Sequence, residues 1–194
     1  MMKIIHKILV GTAIAIIWLW SLMPIAIAQF LGLIIGWVVS HFNTRVKRTT
    51  TINLKLCFPD LSDYHLKKLV KGSIIQTMIT GVEMPAILFK KPQKLLKLIT
   101  AVEGRDLLQT LYDQNRGVMV LGPHIGCWEI GSLYFPAHFP AAMLYTPPKI
   151  AFINNLIVKA RSRLCKSMSP ANHTGVRTMF QSIKNHELVA MLSD

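Results

Sequence analysis

GVMVLGPHIGCWEIGSLYF, residues Gly117–Phe135, decides how the second half of this chain is read. Gly117–Gly122 is a short apolar run of the kind that forms a strand buried on both faces. A Gly–Pro pair then breaks it, and Trp128–Phe135 opens a helix. Glu103–Asn115 reads as a preceding helix and AAMLYT (Ala141–Thr146) as a second strand. Phe152–Lys166 and Thr174–Lys184 read as helices, and LVAML (Leu188–Leu192) as a third strand. Strands alternating with helices predict an α/β fold with a mainly parallel sheet and flanking helices over 101–194. The last strand pattern stops beside Asp194. A central strand there would lack one or both neighbours, so the sheet is expected to be incomplete and the chain truncated.

The first half has a different texture. No Asp, Glu, Lys or Arg occurs between Lys7 and Arg45, and the intervening run is long enough to cross a bilayer. It extends well past the apolar core of a signal peptide. Residues 1–41 therefore read as a retained N-terminal transmembrane anchor. Pro24 interrupts the run, which leaves one kinked or tilted helix or two shorter pieces. Residues 42–100 read as a basic, helical, membrane-proximal segment. Ser62 is a candidate cap for a helix over DYHLKKLVKGSIIQTMITGVEMPAILF, which Gly72, Gly81 and Pro85 are expected to weaken or divide. FKKPQKLLKLI (Phe89–Ile99) suits either the membrane surface or a core helix with a basic outer face.

Composition supports this division. The 194 residues are 52% hydrophobic and 16% charged, with a net charge of +13. Disorder is excluded by the hydrophobic content, and an ordinary soluble domain carries about 25% charged residues. The charge is +10 up to Lys97 and +3 after it, concentrated beside the anchor. That bias favours a cytoplasmic body, and attracts anionic lipid or an acidic protein. Nucleic acid is not expected, because no reading motif or aromatic platform accompanies the charge. Cys57, Cys127 and Cys165 are far apart and form neither a disulfide framework nor a metal-ligand set.

The candidate chemistry lies in the turn after the first α/β strand. His124 and Glu129 are five residues apart, about 140° out of phase on a continuous helix. They can meet only if His124 sits in the loop and Glu129 in the first helical turn. The carboxylate would then orient the imidazole and stabilise its charged form while the imidazole acts as a base. Gly126 permits close backbone approach, and the helix N-terminus offers N–H groups to an oxyanion. A satisfied structural histidine remains the alternative. Cys127 is either a buried small residue or the nucleophile of a Cys–His pair. Arg161 and Arg163, on a predicted helix, suit phosphate recognition or an exposed helix face.

His124–Glu129 after a glycine-containing apolar strand resembles the His-(four residues)-Asp/Glu block of the late acyltransferases of lipid A biosynthesis. The resemblance runs along most of the chain. It takes in Arg45 and Arg48 after the anchor, Asn53-Leu54, Cys57–Pro59, Val102–Gly104, Gly117, Tyr145, Arg161 with Arg163, Gly175 and Met191–Asp194. It implies a glycerolphosphate-acyltransferase-like fold at the cell inner membrane. The reaction implied is transfer of a fatty acyl chain from acyl carrier protein to a hydroxyl of a lipid A precursor, with no metal or other cofactor. His124 and Glu129 are then the catalytic residues, and Arg161, Arg163, Gly126 and Asp194 the substrate-binding ones. Two departures stand out. Cys127 replaces a common Asn, and the family continues beyond the position of Asp194. An enzyme acting on another glycolipid or phospholipid, or an inactive membrane-bound fragment, are the competing readings.

Overall fold

The computed structural model of the chain describes residues 2–165 and 167–192. They fall into two compact units: Leu22–Ala86, and the residues up to Ser21 together with those from Ile87 onward.

The N-terminal apolar run forms two helices, α1 (Met2–Leu22) and α2 (Ile25–His41). Pro24 separates them. Its extended backbone (φ −56°, ψ 138°) ends one helix, and its carbonyl accepts the first hydrogen bonds of the next, from Ile27 and Ala28. Two shorter pieces are therefore the outcome at this position, because proline cannot donate to the preceding turn. By length and composition, only one helix among the described residues suffices alone to cross a membrane. That helix is α4 (Asp63–Phe89), and α1 with α2 meet the criterion only as a pair.

Within Leu22–Ala86, α2 lies against α4 along a stripe of small residues. Ala28, Gly32, Gly36 and Ser40 recur every four positions and are all buried. A Cβ on Gly36 would stand 2.6 Å from Ile75 Cα, and one on Gly32 would stand 2.8 Å from Ile79 Cα. The missing side chains let the backbones approach closely enough for dense packing. A polar clasp fixes the register, with Gln29 Nε2 donating to Oε1 of the buried Glu83 at 2.6 Å. The helix α3 (Arg45–Cys57) is capped by Thr44 and tied back by Lys47, whose ammonium donates to the Ser40 carbonyl at 2.7 Å. Leu54 of α3 and Val39 pack on a core of Leu66, Val70 and Ile74. The helix α4 starts where Ser62 predicted and, contrary to expectation, continues through Gly72, Gly81 and Pro85. Buried positions persist on both sides of the proline, at Glu83, Ala86 and Ile87. Packing thus holds turns that propensity alone disfavours.

The α/β part follows as α5 (Pro92–Leu96), α6 (Arg105–Asp113), β1 (Val118–Gly122), α7 (Gly131–His138), β2 (Ala141–Tyr145), α8 (Ala151–Arg161), β3 (Ser167–Pro170), α9 (His173–Lys184) and β4 (Leu188–Leu192). In the basic segment Phe89–Ile99, Leu95 is almost fully buried while Lys94 and Lys97 stay exposed, a core turn with a basic outer side. The sheet is wholly parallel, in the order β1-β4-β2-β3. Both neighbours of β4 are therefore present, β1 and β2, against the expectation that one or both would be missing. The strand that sequence reading passed over is β3, a Ser-Met-Ser-Pro run with one large apolar residue, whose closing Pro170 is tolerable because it lies on the sheet edge.

Alternation along the strands sorts the core into two layers. On one face, Ala142, Leu144, Val189 and Met191 meet Met179 and Ile183 of α9. On the other, Val120, Ala141, Leu188 and Ala190 meet Leu108 and Tyr112 of α6, Phe135 of α7, and Phe139. The helices that follow β1 and β3 thus leave to opposite faces, an arrangement that opens a crevice at the carboxyl ends of the strands.

Gly36→Leu should destabilise Leu22–Ala86 by about 1–3 kcal/mol through overpacking. Gly72→Ala, in the same compact unit but with open space around the new Cβ, should stabilise it by up to about 1 kcal/mol. Unfolding of the purified chain in mixed micelles reads both signs. The buried Cys165 thiol donates to the carbonyls of Ala141 and Ser167, and burial pushes its pKa up. At neutral pH a thiol reagent should modify the exposed Cys57 readily and leave Cys165 intact until denaturant is added.

Candidate active site

The loop after β1 carries His124 out at the carboxyl end of the sheet. His124 is exposed, and its ring meets Trp128 edge-on with centroids 5.0 Å apart. The turn that makes this possible passes through Gly126 at φ +59°, a left-handed conformation that side chains disfavour. A Cβ there would meet open space, so the demand for glycine is conformational and not one of close approach. Trp128–Ile130 then forms a single 3-10 turn that leads into α7. Cys127 precedes it, half-buried.

Glu129 lies on that turn and is 4% exposed. Both of its carboxylate oxygens are taken by one guanidinium: Arg161 Nε donates to Oε2 at 3.1 Å and Nη2 donates to Oε1. Arg161 sits at the last position of α8, with its side chain largely covered. A planar fork facing a carboxylate is the geometry that best compensates for removing both charges from water. The pair spans 32 residues of sequence and anchors the turn beneath the His124 loop to α8.

Arg163 has a different fate from its neighbour. Its Nε donates to the Ala160 carbonyl at 2.7 Å, and its two terminal nitrogens donate to the carbonyls of Lys90 and Ile87. Burial lowers its pKa from the ordinary arginine value. The structure thus places Arg163 as a tie between the end of α8 and the last turn of α4 with the residue that follows it. Asp194 lies outside the described residues.

Two cavities meet at Arg161. One, of about 340 Å³, has His124, Trp128, Tyr145, Thr146 and Arg161 around it. The other, of about 460 Å³, is mostly apolar and runs under the turn, with Val120, Ile130, Phe135, Met143 and Ala190 among its walls. The structure therefore gathers His124, Glu129 and Arg161 at one crevice, with Gly126 in the loop above it. Tyr145 joins them from the end of β2. No group of three or more His, Cys, Asp or Glu side chains among the described residues is arranged to hold a metal ion.

The exposed histidine, the buried acid–arginine pair and the apolar cavity thus lie together at the carboxyl ends of the strands. The sequence model for bacterial lipid A biosynthesis acyltransferases matches residues 2–194, and the chain belongs to that family. It is 29% identical to the lipid A biosynthesis palmitoleoyltransferase of Escherichia coli K12 over 93% of this chain and 58% of that protein. It is 26% identical to the lipid A biosynthesis lauroyltransferase of the same organism over 91% of this chain and 56% of that protein. A lipid A biosynthesis acyltransferase of Haemophilus influenzae is 24% identical over 86% and 53% respectively. The chain thus spans between half and three fifths of the length of these relatives.

Removing one member of the buried pair leaves the other charged and unsolvated. Arg161→Ala should therefore cost about 3–5 kcal/mol in unfolding free energy, while the double variant Glu129→Leu/Arg161→Met should recover much of that loss. Denaturant titration of the three proteins distinguishes a coupled pair from two independent side chains.

Proposed function

We propose that this chain is the acyl-transfer part of an enzyme that moves a fatty acyl group from acyl carrier protein to a hydroxyl of a lipid A precursor. The observation that carries the reading is the position of His124. It is exposed beyond the carboxyl ends of β1, β2 and β4, beside Tyr145 and Arg161, with a large apolar cavity adjoining. Family membership supplies the reaction class.

In this mechanism an imidazole nitrogen of His124 takes the proton of the acceptor hydroxyl as that oxygen attacks the thioester carbonyl. The tetrahedral intermediate collapses, the carrier thiolate leaves, and His124 returns the proton to it. Trp128 limits the tilt of the imidazole. Glu129 acts through position: clamped by Arg161, it holds the 3-10 turn and hence the loop that presents the base. Its negative charge also favours the imidazolium as that forms. The Arg161 guanidinium, which lines both cavities, would stabilise the developing oxyanion together with backbone N–H groups of the turn. The apolar cavity takes the acyl chain. Neither a metal nor a covalent enzyme intermediate is needed.

Location follows from the same reading. An apolar N-terminal half with a charge of +10 up to Lys97 belongs at the cytoplasmic face of the inner membrane, single-pass or monotopic. Anionic lipid and an acidic carrier are both drawn to that charge.

Membranes containing the chain, supplied with acyl carrier protein loaded with radiolabelled C12 or C14 chains and a lipid A precursor, should form acylated product. His124→Ala should lower the rate by about 10²–10⁴-fold. Transfer unaffected by His124→Ala would remove the base from this residue. No transfer from this chain, nor from a longer form extended to the length of its relatives, would overturn the assignment.

A further inference from the structure

The apolar cavity of about 460 Å³ has a floor, and the register of the strands identifies it. Val120 of β1, Ala190 of β4 and Met143 of β2 are paired across three neighbouring strands, so they form one row on one face of the sheet. All three line the cavity. β4 lies between β1 and β2, a place where a strand is ordinarily covered. Leu188 and Val189 obey this, at 2% and 0% exposure. Ala190, two residues beyond Leu188 on the same face, is only half-buried. The hollow over β4 therefore begins at Ala190. One row lower, Leu188 pairs with Ala141 and packs with Phe139, which closes the bottom.

Ala190 is also the smallest residue of its row. Valine stands on one side and methionine on the other, so its single methyl group leaves the deepest space at the centre of the floor. Phe135 of α7 makes a side wall and packs onto the same core cluster. Its ring lies beside Gly131, where an added Cβ would stand 3.4 Å from the ring edge. Beyond it is a second apolar hollow of about 300 Å³, walled by Ile99, Val102 and Leu108. Ile130, Gly131 and Phe135 line both hollows, so the Phe135 ring stands as a partition between them. At the opposite end, Arg161 and Trp128 are shared with the cavity that holds His124. Leu192, at that rim, lies about 7 Å along β4 from Ala190.

We infer that Ala190 and Phe135 set the length of the acyl chain that this site accepts. The chain enters past Arg161 and runs between the sheet and α7. Its terminal carbons come to rest over Ala190 and against the Phe135 ring. A close-packed enclosure resists one carbon too many as a core resists an oversized side chain. The hollow behind Phe135 is a reserve of length that the ring closes off. The inference deepens the acyl-transfer reading and rests on it for the nature of the ligand.

Alkyl-pantetheine thioethers from C8 to C18 carry the chain but cannot transfer it. Their binding is measured on the full chain purified in a non-ionic detergent. Comparing each variant with the wild type at the same chain length cancels partition of the probe into the micelle. Ala190→Val and Ala190→Leu add two and three carbons to the floor. They should shorten the longest well-bound chain by about two and about three carbons, each excluded methylene costing about fourfold in affinity, and leave the shortest chains unaffected. Phe135→Leu, which keeps an apolar side chain in the core cluster, should lengthen it instead. Met119→Ala, exposed on the other face of β1, should leave the limit where it is. A graded shift that follows the number of added carbons is not what local damage to the sheet produces. A loss uniform across lengths, or one limit shared by all variants, would overturn the inference. Because binding is read without turnover, a failed transfer assay defeats the acyl-transfer reading and leaves a shifted length limit standing. Transfer with the wild-type length preference in both Ala190 variants would sink this inference alone.

Discussion

Glu129 is a carboxylate with almost no contact with water, and the geometry of the crevice depends on how that charge is tolerated. Burying a lone carboxylate costs several kcal/mol even after relaxation. Arg161 answers it with two nitrogens of one planar group, so both oxygens are engaged from a single direction. One consequence is mechanical. The 3-10 turn at Trp128–Ile130 is too short to be rigid by its own hydrogen bonds, yet it is pinned to the end of α8. The His124 loop, through the left-handed Gly126 and Trp128, leads directly into that pinned turn.

The other compact unit relies on shape more than on charge. Along α2 the small residues remove bulk where α4 must come close, and the Gln29–Glu83 clasp sits among apolar neighbours. A clasp in such surroundings discriminates strongly between registers, because a slip of one residue would leave a buried carboxylate unpaired. Small residues at i, i+4 are also how helices pack when lipid, which has no hydrophobic preference between helix and tail, surrounds them.

Much of the α/β half was legible because β1, β2 and β4 are apolar runs, although β1 proves to be an edge strand with Met119 and Leu121 exposed, not a strand buried on both faces. The strand β3 was not, since an edge position relaxes the demand for apolar residues and admits Pro170. The break at Pro24 and the helix start after Ser62 could be read from local chemistry. The persistence of α4 through Pro85 could not, because it is decided by packing at Glu83, Ala86 and Ile87. At the site, His124 and Glu129 were visible as a strand–turn–helix pattern. Local spacing could not reveal that Glu129 is gripped by Arg161, 32 residues away, nor that Arg163, two residues further on, has its guanidinium engaged by backbone carbonyls. Arginines two apart, one closing α8 and the other in the turn beyond it, differ in fate only through what the fold brings to each, and no sequence pattern records that.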